Sequence, residues 1–241
     1  MESNRSKKAG VDRSHDRSFI EKIAFASGHF VIVLICLWLV FYSGSTKISS
    51  LFGADWALSD LTRSYILLAC AFLYWARHLI TLFYLLDRKV EWSEVLGLLC
   101  FMALLEIGLL LVGGGAFRDE AIGLGWRDTL AVVLLLLGSF LNSYSELQRK
   151  WWKKDPINKG HCYTKGLFKY SIHMNYFGDT VMFTGWCLFT SCVWTLAVPL
   201  IMAGLFIFYH IPGLDSYLAG RYGKEFELYS DRTKKFIPFL Y

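Results

Sequence analysis

Six apolar runs, each long enough to cross a bilayer, follow one another along this chain, and nothing else constrains its fold as strongly. They lie near residues 28–45, 64–86, 94–115, 127–147, 177–193 and 194–211. A helix needs about twenty apolar residues to cross a hydrocarbon core. Inside lipid the backbone N–H and C=O groups must be paired within the segment, so runs of this length specify helices. The hydrophobic content of 55% and the mean hydropathy of +0.39 agree with a multi-span membrane protein and exclude a soluble domain. The predicted fold is all-α and polytopic, with about six transmembrane helices and an amphipathic segment after the last.

Charge sets the expected topology, because basic residues accumulate in short cytoplasmic loops. Arg5, Lys7, Lys8, Arg13, Arg17 and Lys22 precede the first run, and Arg88 and Lys89 separate the second from the third. Seven Lys and Arg residues fall between 149 and 169, and five more follow residue 211. The remaining loops hold Lys47, Arg63, Arg118 and Arg127. Six spans put all the strongly basic segments on one side, so both termini are expected in the cytosol, with the endoplasmic reticulum as the membrane of a eukaryotic chain. The first run lacks a small-residue cleavage pattern, so no cleavable signal is expected. Residues 1–27 read as a disordered basic tail and 28–241 as a single membrane domain. The last two runs are separated only by SCVWTLAVP, which predicts a tight hairpin or one helix broken at Pro199.

Cys36, Cys70, Cys100, Cys162, Cys187 and Cys192 show neither CxxC pairs nor His-rich surroundings, and they read as buried thiols with no metal site. The expected partners are the bilayer and a hydrophobic small molecule, and no nucleic acid. No GxGxxG, P-loop or HExxH pattern is present, so a soluble-type dinucleotide fold has no support.

The polar constellations are concentrated at the basic ends of the spans. Asn142 and Glu146 stand four residues apart on one helix face, and Asn175 and Asp179 repeat that spacing, with Tyr176 between them and His173 just before. Each pair alone reads as helix capping, whereas two matching pairs suit a shared ligand. The loop RKWWKKDPINKGHCYTKGLFKY suits nucleotide phosphates or anionic lipid equally. The ending RYGKEFELYSDRTKKFIPFLY reads alone as an interfacial amphipathic helix. Within the spans, Arg77, His78, Glu106 and His210 are ionisable groups that default to paired or functional roles. Arg77 with Glu106 suits an ion pair. Tyr74 and Tyr84 suit either an interfacial belt or a proton donor.

The stretch KGLFKYSIHMNYFGD at 165–179, with Asn142, Glu146 and the ending YSDRTKKFIPFLY, resembles membrane reductases of the steroid 5-alpha-reductase type, including relatives grouped as DUF1295. The resemblance covers about residues 130–241, the expected cofactor half. It implies NADPH bound by Asn142, Glu146, Tyr170, His173, Asn175, Tyr176, Asp179, Arg221, Tyr229, Arg232 and Lys235, with the C-terminal tail as a lid. It implies reduction of a carbon–carbon double bond in a steroid, sterol or other lipid enone, with Tyr84 and Glu106 as the catalytic acid groups. Ile172 and Met174 depart from the usual Arg-His-Pro, Asp179 from Glu, and Glu146 from Asp. His173, Tyr176 and Gly178 also match a degraded form of the pattern of S-adenosylmethionine-dependent isoprenylcysteine and phospholipid methyltransferases, which is the alternative, beside a noncatalytic protein of the same fold.

Overall fold

The computed structural model describes Lys7–Lys8, Val11–Asp12 and residues 16–241. Apart from a two-residue antiparallel ladder between β1 (Lys7–Lys8) and β2 (Val11–Asp12), the described residues form helices and their connections. These are α1 (Phe19–Phe41), α2 (Gly44–Ser50), α3 (Leu61–Ile80), α4 (Trp92–Gly113), α5 (Trp126–Lys153), α6 (Met174–Leu188), α7 (Ala197–Leu205), α8 (Ile211–Tyr222) and α9 (Lys224–Arg232). Single π-turns extend α3 over Thr81–Leu85 and link α7 to α8 over Phe206–His210.

Among the described residues, five helical segments are long and apolar enough to cross a membrane: Phe19–Phe41, Leu61–Leu85, Trp92–Gly113, Trp126–Lys153 and Val193–Tyr222. The run expected to span at 177–193 is instead the 15-residue α6, which ends at Leu188. Pro199 does not break the last segment. It lies in the first turn of α7, where a missing N–H costs nothing. The first helix also begins nine residues earlier than the tail expectation allows. Lys22 does not end it, because Lys22 Nζ donates to the Leu86 carbonyl at 2.6 Å and Ser18 Oγ accepts from Val90 N–H at 3.0 Å. The rest of the expected disordered tail, residues 1–6, 9–10 and 13–15, lies outside the described residues.

The chain divides into two compact units. One contains the described residues up to Val132 and Trp186–Leu196, apart from the short ladder. Its core is the apolar faces of α1, α3 and α4, with Phe25, Ile32, Cys36, Leu67, Met102 and Leu109 buried. At one end of this unit the Asp60 carboxylate caps α3 by accepting from Arg63 N–H at 3.0 Å. The Arg63 guanidinium, 1% exposed, grips Asp128 with both terminal nitrogens at 2.5 and 3.1 Å and donates to the carbonyls of Ile122, Gly123 and Phe189. Arg118 adds a contact to Asp60 at 3.1 Å. A buried cation is tolerable only when its donors are used in this way. Two of the four cations assigned by sequence to the sparsely charged side are therefore neutralised by Asp60 and Asp128.

The other unit contains Val133–Gly185 and Ala197–Tyr241. Here α5 and α6 touch backbone to backbone, because Gly138 faces Met182 N and Gly178 faces Asn142 N. A Cβ on Gly178 would sit 2.5 Å from Asn142 N, so only glycine permits the approach. That crossing carries the polar ends of both helices to one place.

Candidate functional site

All eleven residues expected to contact a cofactor belong to this second unit. Just past the glycine crossing, Asn142 Nδ2 donates to the Asn175 carbonyl at 3.0 Å, joining the two pairs that share a four-residue spacing. One turn further along α5, Glu146 pairs with Arg149 through Oε2. Its other oxygen, Oε1, is buried and has no hydrogen-bond partner among the described residues. An unserved carboxylate oxygen costs the full desolvation of that group, so the position suits a ligand hydroxyl that donates to it. Asn175 and Asp179 lie half-buried on α6.

The His173 imidazole is 1% exposed, and its Nε2 lies 2.8 Å from Asp215 Oδ1, while Lys235 Nζ reaches Asp215 Oδ2 at 3.1 Å. The Tyr176 ring lies parallel to both His173, at 5.6 Å between centroids, and Phe206, at 4.6 Å. His173 is covered within this stack, whereas Tyr176 and Phe206 keep partly exposed ring surface of the kind that can pack against a planar heterocycle.

The C-terminal tail is sewn to the start of α6. Ile172 N–H donates to the Lys234 carbonyl at 2.8 Å, His173 N–H to that of Lys235 at 3.1 Å, and Ser171 Oγ to that of Phe236 at 2.9 Å. This arrangement fixes the tail against the motif residues.

Not every expected contact is available to a ligand. The Tyr229 hydroxyl donates to the Phe168 carbonyl at 2.5 Å, and burial pushes its pKa well above the ordinary phenol value, so this tyrosine acts as a core strut with Ile172, Phe226 and Cys162. Arg221 donates to Tyr217 Oη at 2.6 Å. Tyr170 is two-fifths exposed and packs on Phe239. Arg232 is exposed at the end of α9.

The basic loop is ordered by its own polar residues. Gln148 Oε1 accepts from Leu167 N–H at 2.9 Å, Asn158 Nδ2 donates to the Trp152 carbonyl at 2.8 Å, and Arg149 stands over the Phe168 ring at 5.5 Å. Cys162 is buried behind it, and burial, followed by the nearby Glu225, pushes its thiol up to about 11. Cys36, Cys70 and Cys187 are buried as expected, whereas Cys100 is exposed on the apolar surface of α4.

The groups expected to act as acids belong to the first unit. Glu106 is fully buried, and its Oε1 lies 2.6 Å from His29 Nε2, a partner the sequence reading did not single out. The His29 ring stands edge-on to Tyr74 at 5.5 Å, and Tyr74 to His78 at 4.2 Å. Tyr84 lies in the π-turn and is 40% exposed. The phenol packed around the Glu106 partner is therefore Tyr74. Asp215, Phe206 and His29 are the participants that sequence reasoning missed. For Asp215 and His29 the available signal was an ionisable residue inside an apolar run.

The family described as "Protein of unknown function (DUF1295)" matches residues 91–233. Over 90 residues the chain is 30% identical to a protein of Ustilaginoidea virens named "Probable O-methyltransferase ustE", covering 37% of this chain and 32% of that protein. The chain thus matches about a third of the length of that relative.

Proposed function

Because the chain belongs to the DUF1295 family, whose description leaves the activity open, we propose that it is an NADPH-dependent reductase of a carbon–carbon double bond in a steroid, sterol or other lipid enone. The observation that carries this reading is the unserved Glu146 oxygen at the foot of a loop with seven basic residues and one acidic residue, Asp155, between 149 and 169. A carboxylate oxygen of this kind accepts from a ribose hydroxyl, and basic side chains suit a pyrophosphate and a 2′-phosphate. Bound there, NADPH supplies the hydride. Asn142 and Asn175 set the approach of the two helices, the half-buried Tyr176 ring offers a stacking surface, and Asp215 with Lys235 keeps the buried His173 ring oriented. The proton that completes the reduction is assigned to Glu106, with Tyr84 as the second candidate named by the resemblance.

A methyltransferase is the second reading, favoured by the name of the fungal relative and by the His173, Tyr176 and Gly178 pattern. Its cofactor also carries a ribose, but it has no phosphate and bears a cationic sulfonium. A loop with seven basic residues suits the phosphates of NADPH better than the single carboxylate of S-adenosylmethionine, which places the reductase first. The proposal locates the protein in the endoplasmic reticulum membrane, working on a substrate dissolved in the bilayer; the two-cytosolic-termini expectation rested on six crossings, and five would leave the termini on opposite sides.

The test is titration of the purified protein with NADPH, followed by nicotinamide fluorescence, for the natural chain and for Asn175→Ala. Binding to the natural chain that disappears in the variant at unchanged expression supports the site. Equal binding by both removes the assignment, and binding of S-adenosylmethionine in place of NADPH moves the reading to methyl transfer.

A further inference from the structure

Two imidazoles and a carboxyl form one continuous hydrogen-bonded chain inside the first unit. His29 Nε2 is 2.6 Å from Glu106 Oε1, and His29 Nδ1 is 3.2 Å from His78 Nδ1. The side chains of His29 and Glu106 are 0% exposed, and Glu106 Oε2 is buried with no hydrogen-bond partner among the described residues. A neutral imidazole has one donor nitrogen and one acceptor nitrogen. All contacts are satisfied if His78 Nδ1–H donates to His29 Nδ1 and His29 Nε2–H donates to Glu106 Oε1. One place for a proton is then left over, on Oε2. A charged carboxylate with an unserved oxygen at this depth would cost several kcal/mol, more than a neutral acid whose O–H lacks an acceptor.

The three groups also lie at graded depths. Counting at about 1.5 Å per residue from the shared end of the unit, His78 lies roughly 10 Å from Leu85, His29 roughly 15 Å from Phe19 and Glu106 roughly 21 Å from Trp92. Above the shallow end is a cleft of about 480 Å³ lined by Asp16, Arg17, Lys22, Leu82, Leu86 and Asp87, among others. His78 is one turn below Leu82, and His29 is two turns below Lys22. Tyr74, one turn deeper than His78, and Phe25 wall the imidazoles, with ring centroids 4.2 and 5.4 Å from His78, and the Arg77 guanidinium stands 5.1 Å over the Tyr74 ring.

From this geometry we infer that His78 and His29 relay protons from the cleft to Glu106, which holds one on Oε2 for release inside the membrane. In one passage the Glu106 O–H bond breaks and its proton goes to the acceptor, the electron pair staying on the carboxylate. The His29 Nε2 proton passes to the carboxylate, the His78 Nδ1 proton passes to His29 Nδ1, and a hydronium ion in the cleft gives a proton to His78 Nε2 and is left as water. A half-turn of the carboxyl then returns its proton to the Oε2 side. No electrons are transferred along it. The identity of the acceptor as the reduced enone rests on the proposed reductase activity; the relay itself does not.

Infrared spectroscopy of the full chain in lipid nanodiscs tests the relay directly. The natural chain is expected to show the carbonyl stretch of a protonated carboxylic acid at neutral pH, lost in Glu106→Gln. On transfer to D2O that band should shift quickly, and His78→Phe or His78→Gln should slow the shift about a hundredfold, the scale of a positioned acid–base group. The two variants differ in packing, so one that fails to fold leaves the other as the test. Absence of a Glu106-dependent band means an imidazolium–carboxylate pair and overturns the inference, as does exchange that is equally fast in the His78 variants. NADPH titration of the same samples separates the two proposals: loss of cofactor binding with an intact relay refutes the reductase alone.

Discussion

Glu146 shows how one side chain divides between structure and ligand. One carboxylate oxygen is held by Arg149 and the other is buried without a donor. Hydrogen bonds to charged groups contribute about 1.5–3 kcal/mol, so Glu146→Gln should weaken NADPH about 10- to 100-fold in a fluorescence titration while leaving the melting temperature nearly unchanged. Cys162 gives a pH prediction. Its thiol is raised from 9.0 to about 11, so the folded state prefers the protonated form. That contribution is complete below pH 9.0 and is lost as pH rises toward about 11, so stability should fall across that window in the natural chain and less in Cys162→Ala, as read by denaturant midpoints. At this scale the sequence was partly legible. The four-residue spacing of Asn142 with Glu146 marked a shared helix face, and the fold joins it to Asn175. Spacing carries no information on partners distant in sequence, so Asp215 against His173 and His29 against Glu106 were not visible. Tyr229 is expected at the cofactor from the resemblance, yet tertiary burial places its hydroxyl on the Phe168 carbonyl.

Between elements, the site depends on how closely α5 and α6 approach. Gly178→Ala places a methyl 2.5 Å from the Asn142 backbone nitrogen, which is fixed in a helix and cannot yield cheaply. Overpacking of this kind costs about 1–3 kcal/mol, so the variant should melt at lower temperature and lose cofactor affinity together. A melting curve coincident with that of the natural chain would contradict the close crossing. Apolar runs predicted most helices well, because length and composition alone satisfy the backbone in lipid. They failed where a polar group was satisfied by tertiary contact. Lys22 is accepted by the Leu86 carbonyl, so α1 starts at Phe19, and the short α6 ends at Leu188 although the apolar run continues.

For the whole molecule, charge distribution and membrane insertion are the governing quantities. The Arg63 clasp neutralises a cation that a sequence count assigns to topology, and its loss would strand the buried Asp128. Arg63→Met should therefore destabilise by about 3–5 kcal/mol, seen as a sharp loss of monodisperse protein after detergent extraction. Wild-type yield would mean that the network contributes little. The all-α membrane architecture followed from the sequence, whereas the division into two units did not, since it depends on contacts between distant segments. The central claim is the cofactor, and thermal stabilisation of the detergent-purified protein measures it most directly, with NADPH, NADH and S-adenosylmethionine compared at equal concentration. A ligand that binds only the folded state at a hundred times its dissociation constant adds about 2.7 kcal/mol. The account predicts a clear upward shift with NADPH and none with S-adenosylmethionine; a shift with S-adenosylmethionine alone, or with no ligand of the three, would contradict it.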